Sequence, residues 1–190
     1  LGTLGDAGVI DVVDNEDTIV HVVARPIEGD VRGEIDWPRR FDHMQQHTGQ
    51  HLLSAVFADL FGYQTVSVHF GAEYATLDLE VGQISPAELR QAEAKANAAV
   101  MDNRPVSVTF EDAASAVGLR KTPVREGILR IVTIADLDRS ACGGTHVRAA
   151  GEIGCILIGG TERVKQQVRV QFRCGARAVA RARADHDILS

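Results

Sequence analysis

DHMQQHTGQHLLSAVF, residues 42–57, is the stretch from which the rest of the chain can be read. With its flanks it repeats inward-facing positions at intervals of three and four: Phe41, Met44, Thr48, Leu52, Ala55, Val56 and Leu60. That is the period of a helix with one buried face. Asp36 supplies an N-cap, Pro38 falls in the first turn where a missing N–H costs nothing, and Gly62 marks the stop. His47 and His51 then stand one turn apart on one side of the helix. His43 and His47 share that spacing, so the helix alone leaves two candidate imidazole pairs.

Working outward, residues 1–35 read as short strands and turns. VIDVV (9–13) and TIVHVVA (18–24) are β-rich, with DNED as the turn between them. We read this as part of a small antiparallel β subdomain, a barrel or a meander, truncated at its start. The first residue is Leu1, and LGTLGD resembles the middle of a glycine-rich turn, which predicts a longer parent protein. Downstream of the helix, TVSVHF (65–70) and ATLDLEV (75–81) alternate as a hairpin around GAEY. On one strand the alternation assigns Thr65, Ser67 and His69 to a single face. Ser85-Pro86-Ala87-Glu88 is a capping box opening a second helix that runs to about Asn103. PVSVTF (105–110), ILRIVTIAD (128–136), GCILIGG (154–160) and VRVQF (168–172) are further strands. The expected architecture is α+β, with long helices packed on one antiparallel sheet. The main domain spans 36–175, and 176–190 begins a C-terminal helix or linker.

Composition narrows the function. The 190 residues are 45% hydrophobic and 24% charged, which is ordinary for a globular protein. No apolar run approaches the roughly 18 residues of a membrane span, and no signal segment opens the chain. Three cysteines form no disulfide framework, so a reducing cytoplasm is the expected compartment. The net charge of −6 is uneven: residues 1–119 carry 7 Lys/Arg against 19 Asp/Glu, and residues 120–190 carry 13 against 7. The last third therefore has the charge for a phosphate-facing patch.

The second chemistry-bearing stretch is RSACGGTHV, residues 139–147. Cys142 and His146 flank a double glycine whose freedom lets thiolate and imidazole close on one ion. One histidine pair from the helix and one Cys/His pair from this loop make a four-ligand zinc set. Cys155 lies among apolar strand residues and Cys174 past a strand end, so both read as packing residues. HTGQH lacks the glutamate of the HExxH helix, which argues against a zinc peptidase.

Together, HTGQHLLSA and CGGTHV resemble the editing domain of alanyl-tRNA synthetase and its free-standing relatives, the AlaX alanyl-tRNA editing proteins. DWPRRFDHMQQHTGQHLLSA, TVSVHFGAEYATLDL and CGGTHVRAAGEIG carry the likeness along essentially the whole chain. GGTH, in place of a GPH-type loop, argues against the related threonyl module. The resemblance implies His47, His51, Cys142 and His146 as Zn2+ ligands, with His43 a bystander. It implies His69, where bacterial synthetases carry a functional glutamine, as a catalytic-site residue, with Ser67 and Thr65 contacting the aminoacyl side chain. It implies deacylation of tRNA(Ala) carrying serine or glycine, in trans or as part of an alanyl-tRNA synthetase. A tRNA-binding module with purely structural zinc is the alternative. Arg39, Arg40, Arg163, Lys165, Arg169 and Arg173 are the expected contacts to tRNA phosphates.

Overall fold

The structure, a computed structural model, describes residues 1–15, 18–122 and 126–190. The chain divides into two compact units, Leu1–His43 and Met44–Ser190. No helix among the described residues is long and apolar enough to cross a membrane.

In the first unit, β1 (Gly2–Leu4), β2 (Ala7–Asn15), β3 (Thr18–Val23) and β4 (Gly33–Ile35) form a sheet in the order β3-β2-β1-β4. The strand expected at 9–13 falls within β2, and β3 covers the one expected at 18–24 except for its last residue, Ala24. Of the DNED turn, Glu16 and Asp17 lie outside the described residues. The barrel expectation is corrected: β3 and β4 are open edges, so among the described residues the sheet does not close. β1 and β4, at three residues each, are too short to show alternation in the sequence.

Helix α1 (Trp37–Phe61) begins where its cap predicts. The Arg39 backbone N–H donates to Asp36 Oδ1 at 3.1 Å, and Gly62, at φ 73°, ends it. Its middle is buried on more than the expected face: Gln45, Gln46 and Gln50 are enclosed along with Leu52, Leu53, Val56 and Phe57. Buried amides need partners. Gln46 donates to Cys174 O at 3.0 Å and accepts from the Cys174 N–H at 2.9 Å, while Gln45 donates to Glu152 O at 2.9 Å. Gly49 permits this seat, because a Cβ there would stand 2.2 Å from Cys174 Sγ. Of the two cysteines expected to pack, Cys174 is buried and Cys155 is exposed.

The rest of the second unit holds β5 (Thr65–Phe70), β6 (Ala75–Leu79), α2 (Pro86–Met101), β7 (Val106–Asp112), β8 (Ile128–Ile134), β9 (Asp138–Ala141), a short 3-10 turn (Ala150–Ile153), β10 (Ile156–Val164), β11 (Gln167–Cys174) and α3 (Ala176–Leu189). These make two antiparallel sheets, β10-β11-β6-β5 and β7-β8-β9, where a single sheet was expected. The helices have 25, 16 and 14 residues, so only α1 exceeds the ordinary range of about 8–20. The Ser85/Glu88 capping box forms as predicted. α2 also shields the β10 edge: Asn97 pairs with the Ile156 N–H and C=O, and the Glu93 carboxylate accepts from the Ile158 N–H. Leu77, Leu79, Val170 and Phe172 are fully buried, each contributing about 1.5–3 kcal/mol of apolar burial.

Candidate metal centre and adjoining cavity

His47 and His51 leave α1 toward the loop that follows β9, and there the ligand atoms of His47, His51, Cys142 and His146 lie within 4.8 Å of one another. His43 is exposed and outside this cluster. Cys142 Sγ stands 3.4 Å from His47 Nε2 and 3.4 Å from His146 Nε2. A tetrahedral ion with metal–sulfur bonds of about 2.3 Å and metal–nitrogen bonds of about 2.0–2.1 Å separates such atoms by roughly 3.5 Å, so the donor set fits one.

The loop is held for this purpose. Arg130, on β8, donates to Cys142 O at 2.6 Å and Gly144 O at 2.9 Å. Gly144 lies so close under the His47 ring that a Cβ would meet Cε1 at 2.3 Å, which accounts for one of the two glycines. The far nitrogens are held too. His51 Nδ1 pairs with Asp138 Oδ2 at 2.8 Å. His146 Nδ1 meets Thr48 Oγ1 at 3.1 Å, and that oxygen also accepts the Val147 N–H at 3.2 Å. Such partners orient metal-binding imidazoles.

The electrostatics are those of a thiolate among imidazoles. Burial pushes the Cys142 thiol up, but donation from His146, His47, His51 and the Gly144 N–H outweighs it and brings the pKa down to about 3. Burial also opposes a charged His51, yet Asp138 and Cys142 hold its pKa above the ordinary value. His146 is pushed down, chiefly by burial. Asp138 is buried as well, but His51 and Arg120 keep its carboxyl below the usual range.

Beside His51 opens a cavity of about 450 Å³. Gln50, Thr65, Ser67, Lys121 and Ser140 are among its lining residues. Thr65 donates to Ser54 Oγ at 2.8 Å, and Ser67 donates to Asp78 Oδ2 at 2.6 Å. The expectation that Thr65, Ser67 and His69 share one face is corrected. A register shift between Thr65 and Ser67 sets Thr65 opposite Leu79, but Ser67 opposite Asp78 and His69 opposite Thr76. The bulge breaks the alternation, so Thr65 joins the Leu79 face while Ser67 and His69 take the other. His69 lines a separate cavity of about 400 Å³ with Thr76, Arg169 and Gln171, and its Nε2 lies 3.4 Å from Arg169 Nη2.

The expected phosphate contacts divide similarly. Arg163 and Lys165 are exposed around the β10–β11 turn, and Arg39 is exposed in the first turn of α1, with Arg40 half-buried after it. Arg169 is committed to Asp78 by a two-pronged pair at 2.7 and 2.9 Å, which holds that carboxyl below its usual range, and Arg173 lies over the Tyr74 ring at 5.2 Å. Asp138, Arg120 and Lys121 escape sequence reasoning. The one available signal was an acidic residue four positions before Cys142.

Known proteins resemble this chain along nearly its whole length. Residues 129–170, which include Cys142 and His146, match the family described as the threonyl and alanyl tRNA synthetase second additional domain. Alanyl-tRNA editing protein Aarsd1 of Danio rerio is 33% identical over 195 residues, covering 98% of this chain and 47% of that protein. Alanyl-tRNA editing protein AlaX-L of Pyrococcus horikoshii is 33% identical over 207 residues, covering 95% and 49%. Alanine–tRNA ligase of Pyrococcus abyssi is 37% identical over 187 residues, covering 90% of this chain but 20% of the ligase. The chain thus spans about half the length of the curated editing proteins it matches. Residues 129–170 thus resemble the second additional domain of threonyl and alanyl tRNA synthetases, and nearly the whole chain is similar to about half of each alanyl-tRNA editing protein.

Proposed function

We propose that this chain is a zinc-dependent hydrolase with an editing-domain-like fold that removes serine from mischarged tRNA(Ala) and spares alanine. One observation carries the reading: three imidazoles and a thiolate gather within 4.8 Å beside a cavity that shares His51 with them. The likeness to proteins named for alanyl-tRNA editing supports the substrate class.

Zinc, when bound, supplies Lewis acidity toward an ester carbonyl or a water. Selection falls to the chain's own groups. A synthetase pocket cannot strongly reject an isostere that merely adds a hydroxyl, so a second site must recognise that hydroxyl. Thr65 gives its proton to Ser54 and Ser67 gives its proton to Asp78, which leaves both oxygens with lone pairs to accept from a seryl hydroxyl. An alanyl ester would leave such an acceptor unpaired, at about 1–3 kcal/mol. His69, in its own cavity, takes no part in this selection. Lys121 brings positive charge to the reaction cavity, and Arg39, Arg40, Arg163 and Lys165 meet tRNA phosphates, so binding weakens as salt rises. Arg169 and Arg173 are already spent on Asp78 and Tyr74.

A second reading is favoured by the completeness of the donor set. Four protein ligands describe a closed, structural zinc, and the chain would then bind tRNA without hydrolysis. Zinc content measured beside deacylation of Ser-tRNA(Ala) and Ala-tRNA(Ala) separates the two. The expected result is one zinc per chain, turnover of the seryl ester over the alanyl ester, and loss of both metal and activity in Cys142→Ala. Tight zinc with no turnover of either ester selects the structural reading, and full activity without bound zinc defeats both.

A further inference from the structure

Behind the four ligands lies a fully enclosed carboxylate. Asp138 opens β9, and its side chain is 0% exposed. Its Oδ2 accepts from His51 Nδ1 at 2.8 Å, and its Oδ1 accepts from Arg120 Nε at 2.6 Å. Ser140 Oγ lies 3.1 and 2.9 Å from the two oxygens and also accepts from Arg120 Nη2 at 3.1 Å. Arg120 comes from the β7–β8 connection, where its backbone N–H is anchored on Arg139 O at 2.8 Å, and with Lys121 and Thr122 it lines the cavity beside His51.

We propose that Asp138 is a positioning residue: it fixes the proton of His51 on Nδ1, so that the Nε2 lone pair faces Cys142, and Arg120 ties the cavity wall to that arrangement. The inference rests on the metal reading above. An imidazole offers one donor and one acceptor, and which nitrogen carries the proton follows from the partner of the other. A carboxylate accepts only, so it allows one tautomer. The two other histidines lack this restraint. His146 meets a hydroxyl, which can donate or accept, and His47 has no carboxylate partner among the described residues. A buried carboxylate also needs a countercharge, and the Arg120 side chain, 13% exposed, is the cation supplied. Any ligand that moves the wall bearing Arg120 to Thr122 therefore acts on His51 through Asp138.

The substitution Asp138→Asn keeps the shape but lets an NH2 turn toward Nδ1, which moves the proton to Nε2 and closes the ligand position. The test is zinc competition against a chromophoric chelator, with the absorption bands of the cobalt-substituted chain as a second readout. Asp138→Asn should weaken zinc binding by roughly 10–100-fold and alter the cobalt bands, and Arg120→Gln should give a smaller loss in the same direction. Zinc affinity within twofold of the natural chain, with unchanged cobalt bands, overturns the proposal. Should Asp138→Asn fail to fold, Arg120→Gln decides alone, and unchanged affinity there counts against it. Nitrogen chemical shifts of His51 in the metal-free chain, at a pH where the ring is neutral, separate this inference from the reading beneath it. If the natural chain binds no zinc, the proposed function fails. An Nδ1–H tautomer for His51 then still upholds the positioning role of Asp138, and an Nε2–H tautomer overturns it.

Discussion

Two sides of one hairpin make opposite use of neighbouring residues. Phe70, at the end of β5, packs edge-on against His47 with ring centroids 5.4 Å apart, in the environment of the metal ligands. His69, one residue earlier, looks the other way, into a cavity with Thr76, Arg169 and Gln171. The ligand side is organised by charge around a thiolate. The outer side is organised by a row of cross-strand neighbours, Ser67, Asp78, Arg169 and Glu162, one from each strand of the sheet. The difference shows that a polar residue in a strand next to a site belongs to that site only if the register brings it there.

The comparison makes the ligand side intolerant of small changes, and the largest expected effect is at Gly144. A methyl group there would stand 2.3 Å from His47 Cε1 and must displace either the ring or the loop. Gly144→Ala is expected to lower zinc affinity by about 10–100-fold, the range for losing the orientation of one ligand. Chelator competition on the purified variant checks it. Unchanged affinity would mean that the loop shifts freely, and that the two sides of the hairpin differ less in rigidity than the close packing implies.

What could be read in the residues follows the same division. α1, its cap at Asp36, its stop at Gly62 and the Ser85/Glu88 capping box were legible because each rests on local chemistry. The gathering of His47, His51, Cys142 and His146 was legible because few residue types hold a transition metal, and two compact motifs supplied them. The choice of His51 over His43 came from resemblance rather than spacing. The split into two sheets was not visible: β9 is four residues long, below the length at which alternation declares itself. The Thr65–Ser67 bulge was invisible for a related reason, since an extra residue changes the face without changing the pattern of residue types. Asp138 and Arg120 meet across 18 positions through folding alone.

On the outer side the largest effect should be structural. Asp78 has a 4% exposed side chain and takes both prongs of Arg169, so Asp78→Asn is expected to cost about 1.5–3 kcal/mol, the range for a hydrogen bond to a charged group. Urea unfolding of the metal-loaded chain measures it, with zinc content unchanged. The pH dependence gives the sign. Arg169, followed by Ser67, holds the Asp78 carboxyl below its ordinary value. Its contribution is therefore complete above the unfolded value of about 3.9 and is lost as pH falls through the lower folded value. The difference between natural chain and variant should stay constant near neutrality and shrink only in acid. A difference that vanished already at about pH 6, far above that range, would show that the Arg169 pair is not its source.

The smallest effect should come from His69, and it is the sharpest test of the comparison. The side chain is exposed, and Arg169, 3.4 Å from its Nε2, is already held by Asp78. His69→Ala should change stability by no more than about 0.5 kcal/mol, as for most surface substitutions. Zinc affinity should not move, because none of the four donors touches this cavity. Turnover of Ser-tRNA(Ala) should likewise stay within about twofold, while Ser67→Ala should narrow the preference for the seryl over the alanyl ester by the roughly 1–3 kcal/mol of an unpaired polar group. If His69→Ala instead abolished turnover with zinc and fold intact, the reacting ester would have to lie against the outer face of β5. Thr65 would then lose its role in selection, because the bulge puts it on the opposite face from His69, whereas Ser67 shares the His69 face and would keep one.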